Sequence, residues 1–197
     1  MLPDPTILAF DTSAPHCAAA LLYAGQFHVR VDEMARGQAE HLIPMLEAVL
    51  AARGLKWSDL DAIGVGTGPG NFTGIRISVA AARGLALGLG IPAVGVSNFE
   101  AAAYGIARPV DVVISAPRDQ AYLQRLTVNG AEPPMLLGPD DPRPEAALAP
   151  PPAPEMIAHI ARTAAERFQT EAARPAPLYV RAADAAPSRD APPVILP

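Results

Sequence analysis

The spacing of hydrophobic positions changes several times along the chain, and each change marks an element. Thr6–Phe10 is a short apolar run that stops at Asp11-Thr12-Ser13, as a strand buried on both faces would. Cys17–Tyr23 is a second such run, and Ala24-Gly25 forms a tight connection to a third segment. From Phe27 the pattern alternates, with Phe27, Val29 and Val31 set against His28, Arg30 and Asp32. Period two predicts a half-exposed strand, so the chain opens as an antiparallel meander. Over Ala39–Arg53 the period becomes helical. Leu42, Ile43, Leu46, Val49 and Leu50 recur, Pro44 falls near the start, and Gly54 stands where a C-terminal glycine belongs. Ala62–Gly66 then predicts a small-residue strand, Gly68–Thr73 a turn, and Gly74–Leu87 a helix stopped by Gly88 and Gly90. Ala93–Val96 predicts a strand and Asn98–Tyr104 a short helix, which completes the order βββαβαβα.

Gly105–Pro109 reads as a boundary that closes a first lobe over residues 1–105. A second, reduced lobe is expected over residues 106–181. It begins with strands at Val110–Ala116 and Ala121–Val128, an Asn129-Gly130 hairpin signal, and Met135–Leu137 as a pairing strand. Pro139–Pro154 carries seven prolines and predicts a linker or covering loop. Pro154–Phe168 has Met156, Ile157, Ile160, Ala161, Ala164 and Phe168 on one helical face, and Leu178–Val180 predicts a last short strand. Residues 182–197 are rich in proline and alanine and are expected to be disordered.

Composition narrows the function classes. Half of the residues are hydrophobic but only 5% are aromatic, so the core must be built from Ala, Val, Leu and Ile. The net charge is −5, with 14 Arg, one Lys (Lys56) and no basic run. Nucleic-acid affinity comes largely from clustered cations on phosphates, so tight binding of RNA or DNA by the chain alone is not expected, although a partner could present a nucleic acid to it. The single cysteine, Cys17, excludes a disulfide framework or thiolate metal cluster and fits a reducing compartment. The first residues show no signal-peptide pattern, and no uninterrupted run of about 18 apolar residues predicts a membrane span. A cytoplasmic location is expected.

The most prominent motif is Gly64-Val-Gly-Thr-Gly-Pro-Gly-Asn-Phe-Thr-Gly-Ile-Arg-Ile77, which follows a strand and opens a helix. That is the setting of a phosphate cradle. Its spacing matches neither GxGxxG, which would need Gly at 69 or 71, nor a P-loop, which needs a following lysine. Two readings stand side by side: phosphate contact by Gly68 and Gly70 together with Asp11, Thr12 and Ser13, or a turn that lets backbone pack closely. In the helix that follows, Gly74, Ser78, Ala82 and Ala86 are spaced four apart. Small side chains admit a close neighbour, either a partner helix or the chain's own sheet. The histidines show no metal-ligand spacing, and no nucleophile elbow is present.

Ile7-Leu-Ala-Phe-Asp-Thr-Ser13, Glu40-His-Leu-Ile-Pro44, Gly66-Thr-Gly-Pro-Gly-Asn-Phe-Thr-Gly-Ile-Arg-Ile77 and Ile91-Pro-Ala-Val-Gly-Val-Ser97 together resemble the TsaB (YeaZ-type) family. The resemblance is strong over about the first 105 residues. It implies an α/β protein of the actin-like ATPase (ribonuclease H-like) fold, with two lobes each built on a βββα-type sheet and the C-terminal lobe reduced. It also implies a non-catalytic scaffold in the threonylcarbamoyladenosine modification of tRNA, paired with the related catalytic subunit TsaD and the ATPase TsaE. Homodimerisation when alone is a further implication. Members use the first two helices as the partner surface, which here draws in His41, Leu42, Met45, Gly74, Ile75, Ser78, Ala82 and Ala86. No cofactor is expected in the isolated chain, while ATP or ADP with Mg²⁺ at the partner interface stays open. TsaD carries a metal-binding His-x-x-x-His where this chain has Asn98 and Ala102, and neither replaces an imidazole. Ser115-Ala-Pro stands where the family has Asp-Ala-Arg. The alternative reading is an actin-like ATP-dependent transferase or kinase that uses Asp11, Ser13 and the glycine turn by itself.

Overall fold

A computed structural model describes residues 4–170 and 173–180. The first sheet has the order β3-β2-β1-β4-β5 and is formed by β1 (Ile7–Asp11), β2 (His16–Tyr23), β3 (Gln26–Glu33), β4 (Ala62–Gly66) and β5 (Ala93–Val96). β1, β2 and β3 pair antiparallel, as the meander pattern predicts, while β4 and β5 join in parallel through helical crossovers. The helices of this region are α1 (Gln38–Ala51), α2 (Phe72–Leu89) and α3 (Asn98–Ala102).

Alternation along β1 assigns one set of side chains to each face. Leu8 and Phe10 point to α1 and α2, with Leu42, Met45, Leu46, Ile75 and Val79. Ile7 and Ala9 point the other way, to α4 (Ala153–Arg167), with Ile157, Ile160 and Ala164. Burial on both faces is why these strands read as continuous apolar runs. Helix α4 lies far along the sequence in the second lobe, yet it packs on β1, β2 and β4. The division at residue 105 therefore separates the two sheets but not the two cores.

Local signals set the helix ends. Asn71 caps α2, its Oδ1 accepting from the Gly74 N–H at 2.8 Å. α2 therefore begins two residues before the expected Gly74, and it ends at Gly90, whose φ is 69°. Ser97 and Glu100 form a capping box at α3. Pro44 sits inside α1 rather than in its first turn.

The second sheet is formed by β6 (Val110–Ser115), β7 (Ala121–Thr127), β8 (Gly130–Ala131) and β9 (Met135–Leu137), all antiparallel. The proline-rich stretch lies against its edge, where the Val113 N–H donates to Leu148 O and the Leu148 N–H to Asp111 O. Leu178–Val180, expected as a strand, is not one. The Leu178 N–H instead donates to Thr67 O, just past β4, as a single bond. The stretch expected to be disordered, 182–197, lies outside the described residues.

Helix α2 is unusually apolar. It is long and apolar enough, by length and composition, to cross a membrane. It reaches that composition despite Arg76 and Arg83, which interrupt the apolar run. Its inner residues Ile75, Ser78, Val79 and Ala82 are buried against the sheet.

Candidate functional site

The hairpin between β1 and β2 meets the glycine-rich junction between β4 and α2. Thr12 is fully buried, and its Oγ1 donates to Gly74 O at 2.6 Å. The Asn71 N–H donates to Ser13 O at 2.6 Å. A Cβ added at Gly74 would overlap Thr12 O, and one added at Gly70 would overlap Ser13 O. Glycine at these two positions lets the helix start lie directly on the hairpin. The backbone of the hairpin thus fills the space beside Gly70 and Gly74. Close packing accounts for glycine at positions 70 and 74.

Beside this contact a cleft of about 670 Å³ runs between the two sheets. Asp11, Ser13, His16, Asn98 and Ser115 bring polar groups to it, and Ile114, Tyr122 and Met156 line its apolar side. Ser13 donates to Asp11 Oδ2 through its N–H, at 3.0 Å, and through its hydroxyl, at 2.8 Å. The Asn98 amide donates to Ser13 Oγ at 3.0 Å and to Pro69 O at 2.9 Å, tying hairpin to junction. His16 Nε2 lies 3.5 Å from Asp11 Oδ2. Asp11 Oδ1 is buried without a hydrogen-bond partner and lies against Gly66. Among the described residues, no Lys or Arg lines the cleft. A polyphosphate there would meet a carboxylate and no cation. Among the described residues, no group of three or more His, Cys, Asp or Glu is placed to hold a metal ion.

The residues expected to form the partner surface divide between inside and outside. Leu42, Met45, Gly74, Ile75, Ser78 and Ala82 face the chain's own sheet and are buried there. Ser78 donates through its hydroxyl to Ile75 O at 3.2 Å. Ala86 is partly buried against the same core. His41 is half-buried and joins Asp32 at 2.7 Å, and Arg30 holds the Asp32 carboxyl below its ordinary range. Helical periodicity located the stripe but not the direction it faces, because small residues suit a tight sheet contact and a tight helix contact equally.

The opposite side of α2 is the exposed one. Phe72, Arg76, Ala80, Arg83, Gly84 and Leu87 are open to solvent, with Leu87 82% exposed. Ile43, Pro44 and Glu47 continue the surface on α1. The ridge Ala80, Gly84 and Gly88 repeats the four-residue spacing of the buried stripe, and nothing lies within 4 Å of a Cβ added at Gly84 or Gly88. Sequence reading missed this face because it gave the partner surface to the Gly74, Ser78, Ala82 and Ala86 stripe, placed Gly88 at the helix stop and assigned no role to Ala80 and Gly84.

A five-stranded sheet of order 3-2-1-4-5, with the β1–β2 hairpin set against a glycine turn and helix, defines a protein of the actin-like ATPase fold. The family model for TsaD, tRNA N6-adenosine threonylcarbamoyltransferase, matches residues 32–185. The chain belongs to this family, as a member of its TsaB/YeaZ type. It is 37% identical over 127 residues to the tRNA threonylcarbamoyladenosine biosynthesis protein TsaB of Haemophilus influenzae, covering 61% of this chain and 53% of that protein. It is also 37% identical over 102 residues to TsaB of Escherichia coli K12, covering 52% and 44%. The match thus spans about half the length of these two relatives. An uncharacterized protein of Mycobacterium tuberculosis H37Rv is 36% identical over 201 residues, covering 92% of this chain and 94% of that one. The solved structure of YeaZ from Pseudomonas aeruginosa superposes with a TM-score of 0.71 at 28% identity, covering 89% of this chain and 99% of that chain.

Proposed function

We propose that this chain is a non-catalytic scaffold in the threonylcarbamoyladenosine modification of tRNA. In this reading its α1–α2 outer face pairs with a TsaD-type catalytic subunit, and a TsaE-type ATPase joins the pair. A second copy of the chain occupies the face when that subunit is absent. The work is cytoplasmic, and tRNA is reached through the complex. ATP or ADP with Mg²⁺, where present, sits at the partner interface rather than in the cleft.

The observation that carries this reading is α2 itself. It is apolar enough to span a membrane, yet only 28% of its residues are buried. Such an excess of exposed apolar surface marks an interaction site. Bare Ala80, Gly84 and Gly88 would let a partner helix approach closely. The cleft supports the scaffold role from the other side, since its lining among the described residues offers no Lys or Arg to a polyphosphate. Names of relatives such as TsaB of Haemophilus influenzae supply the pathway.

The test is co-purification with the TsaD-type subunit of the same organism, followed by a modification assay with and without this chain. A one-to-one complex and a modification that requires the chain are expected. Gly84→Trp, on the exposed face, should abolish assembly while leaving the fold intact. Normal assembly of Gly84→Trp, or modification without the chain, would sink the proposal. The alternative of an ATP-dependent transferase acting alone predicts tight Mg-ATP binding by the isolated chain in calorimetry, lost in Asp11→Ala.

A further inference from the structure

Residues 173–180 return to the N-terminal lobe as a strap. The Leu178 N–H donates to Thr67 O at 2.8 Å, and Pro175 lies against Gly95. The strap delivers Tyr179 to the first turn of α2. There its ring sits 4.9 Å from that of Phe72, centroid to centroid. Arg76 Nε donates to the Tyr179 hydroxyl at 2.9 Å, a bond between residues 103 positions apart. The Arg76 guanidinium carbon lies 3.7 Å from the Phe72 ring centroid and 5.8 Å from that of Tyr179.

This cluster is at the surface, with Phe72 38% and Tyr179 39% exposed. A free arginine side chain samples many rotamers, and a cation held over a ring and bonded to a hydroxyl has already given up much of that freedom. Tyrosine and arginine are also the residue types that most often anchor protein interfaces. Arg76 and Arg83 have no carboxylate partner among the described residues, and neither Glu40 nor Glu47 on α1 has a cation.

We propose that Tyr179 and Phe72 hold Arg76 as the anchor of the α2 face, preset to meet a carboxylate of a second copy of this chain. The inference rests on the reading that this face is a pairing surface, and it adds the strap as a component of that face. A second copy fits because the exposed cations of the pair of helices lie on α2 and unpaired acids on α1. Two-fold pairing makes every contact twice, so α2 of each copy can meet α1 of the other with opposite charge. The occupant is then recognised by charge as well as by the bare ridge.

Sedimentation velocity over a range of concentrations tests this with the full chain. The wild type should dimerise, and Tyr179→Ala should weaken the dimer about tenfold or more, as loss of an interface anchor does. Tyr179→Phe, which keeps the ring and loses the bond to Arg76, should fall between them, and thermal melting of each variant checks the fold. Arg76→Glu should also weaken the dimer, with partial recovery when Glu40 and Glu47 are both changed to Arg. A monomeric wild type overturns the second copy as occupant. If Gly84→Trp abolishes pairing but both Tyr179 variants pair like the wild type, the anchor is wrong and the face stands. If Gly84→Trp also pairs normally, the face itself is wrong. Polyuridine binding that is lost in Arg76→Glu with no change in dimerisation would overturn the proposal in favour of RNA.

Discussion

Two glycines and one threonine show how residue chemistry shapes this site. At Gly74 the helix start rests on Thr12 O, and at Gly70 the loop rests on Ser13 O, so any Cβ must displace backbone. Gly74→Ala should therefore destabilise the chain by roughly 1–3 kcal/mol, the scale of overpacking in a rigid site. Urea unfolding checks this, and a change under 1 kcal/mol would contradict the contact. Cys17 gives a prediction about pH. Burial, then the nearby Asp32 and Asp11 carboxylates, push its thiol up to about 11 from an ordinary 9.0. The folded chain then holds the proton more tightly than the unfolded chain. Its contribution to stability is complete below about 9 and is lost as pH rises towards 11. Melting temperatures over that interval should fall less steeply in Cys17→Ala than in the wild type, and a thiol reagent at pH 8 should label Cys17 only on unfolding. Glycine spacing alone announced a special turn at Gly64–Gly74. Whether the turn cradled an anion or another piece of chain depended on a hairpin more than fifty residues earlier.

At the scale of elements, α2 carries two small-residue faces, and they have opposite fates. The inner one, Gly74, Ser78 and Ala82, is consumed by the sheet; the outer one, Ala80, Gly84 and Gly88, is bare. An exposed mid-helix glycine costs about 0.5–1 kcal/mol against alanine. Gly84→Ala should thus raise the stability of the isolated chain by about that amount and weaken its pairing, a split that melting and sedimentation read separately. A gain in stability with no loss of pairing would count against a close helix contact at Gly84. Periodicity located both helices within two residues at each end. It did not settle their rotation, because an Ala/Gly-rich helix has too little hydrophobic contrast between its sides to declare which one is buried.

For the whole molecule, the decisive feature is α4. Ile157, Ile160, Ala161 and Ala164 cover the face of the first sheet that α1 and α2 leave open. A fragment of residues 1–105 would expose Ile7, Ala9, Ala20, Val94 and Val96 together. It should fail to fold cooperatively and should bind a dye for exposed apolar surface, whereas an independent lobe would show a sharp unfolding transition. Ile160→Ala in the full chain should cost about 2–4 kcal/mol by leaving a cavity.

By itself the sequence determined most element types, the meander and the family. All of these rest on local periodicity, on backbone demands of Gly, Pro, Asn and Ser, or on motifs within a few turns of chain. Only the tertiary structure decided which side of α2 faces out, that the hairpin fills the glycine junction, that α4 closes the first lobe, and that Tyr179 reaches Arg76. Those outcomes depend on contacts between residues some 60 to 150 positions apart. A pattern of single residues does not record such pairings, because the same Ala, Gly and Tyr satisfy a neighbour from either end of the chain equally well.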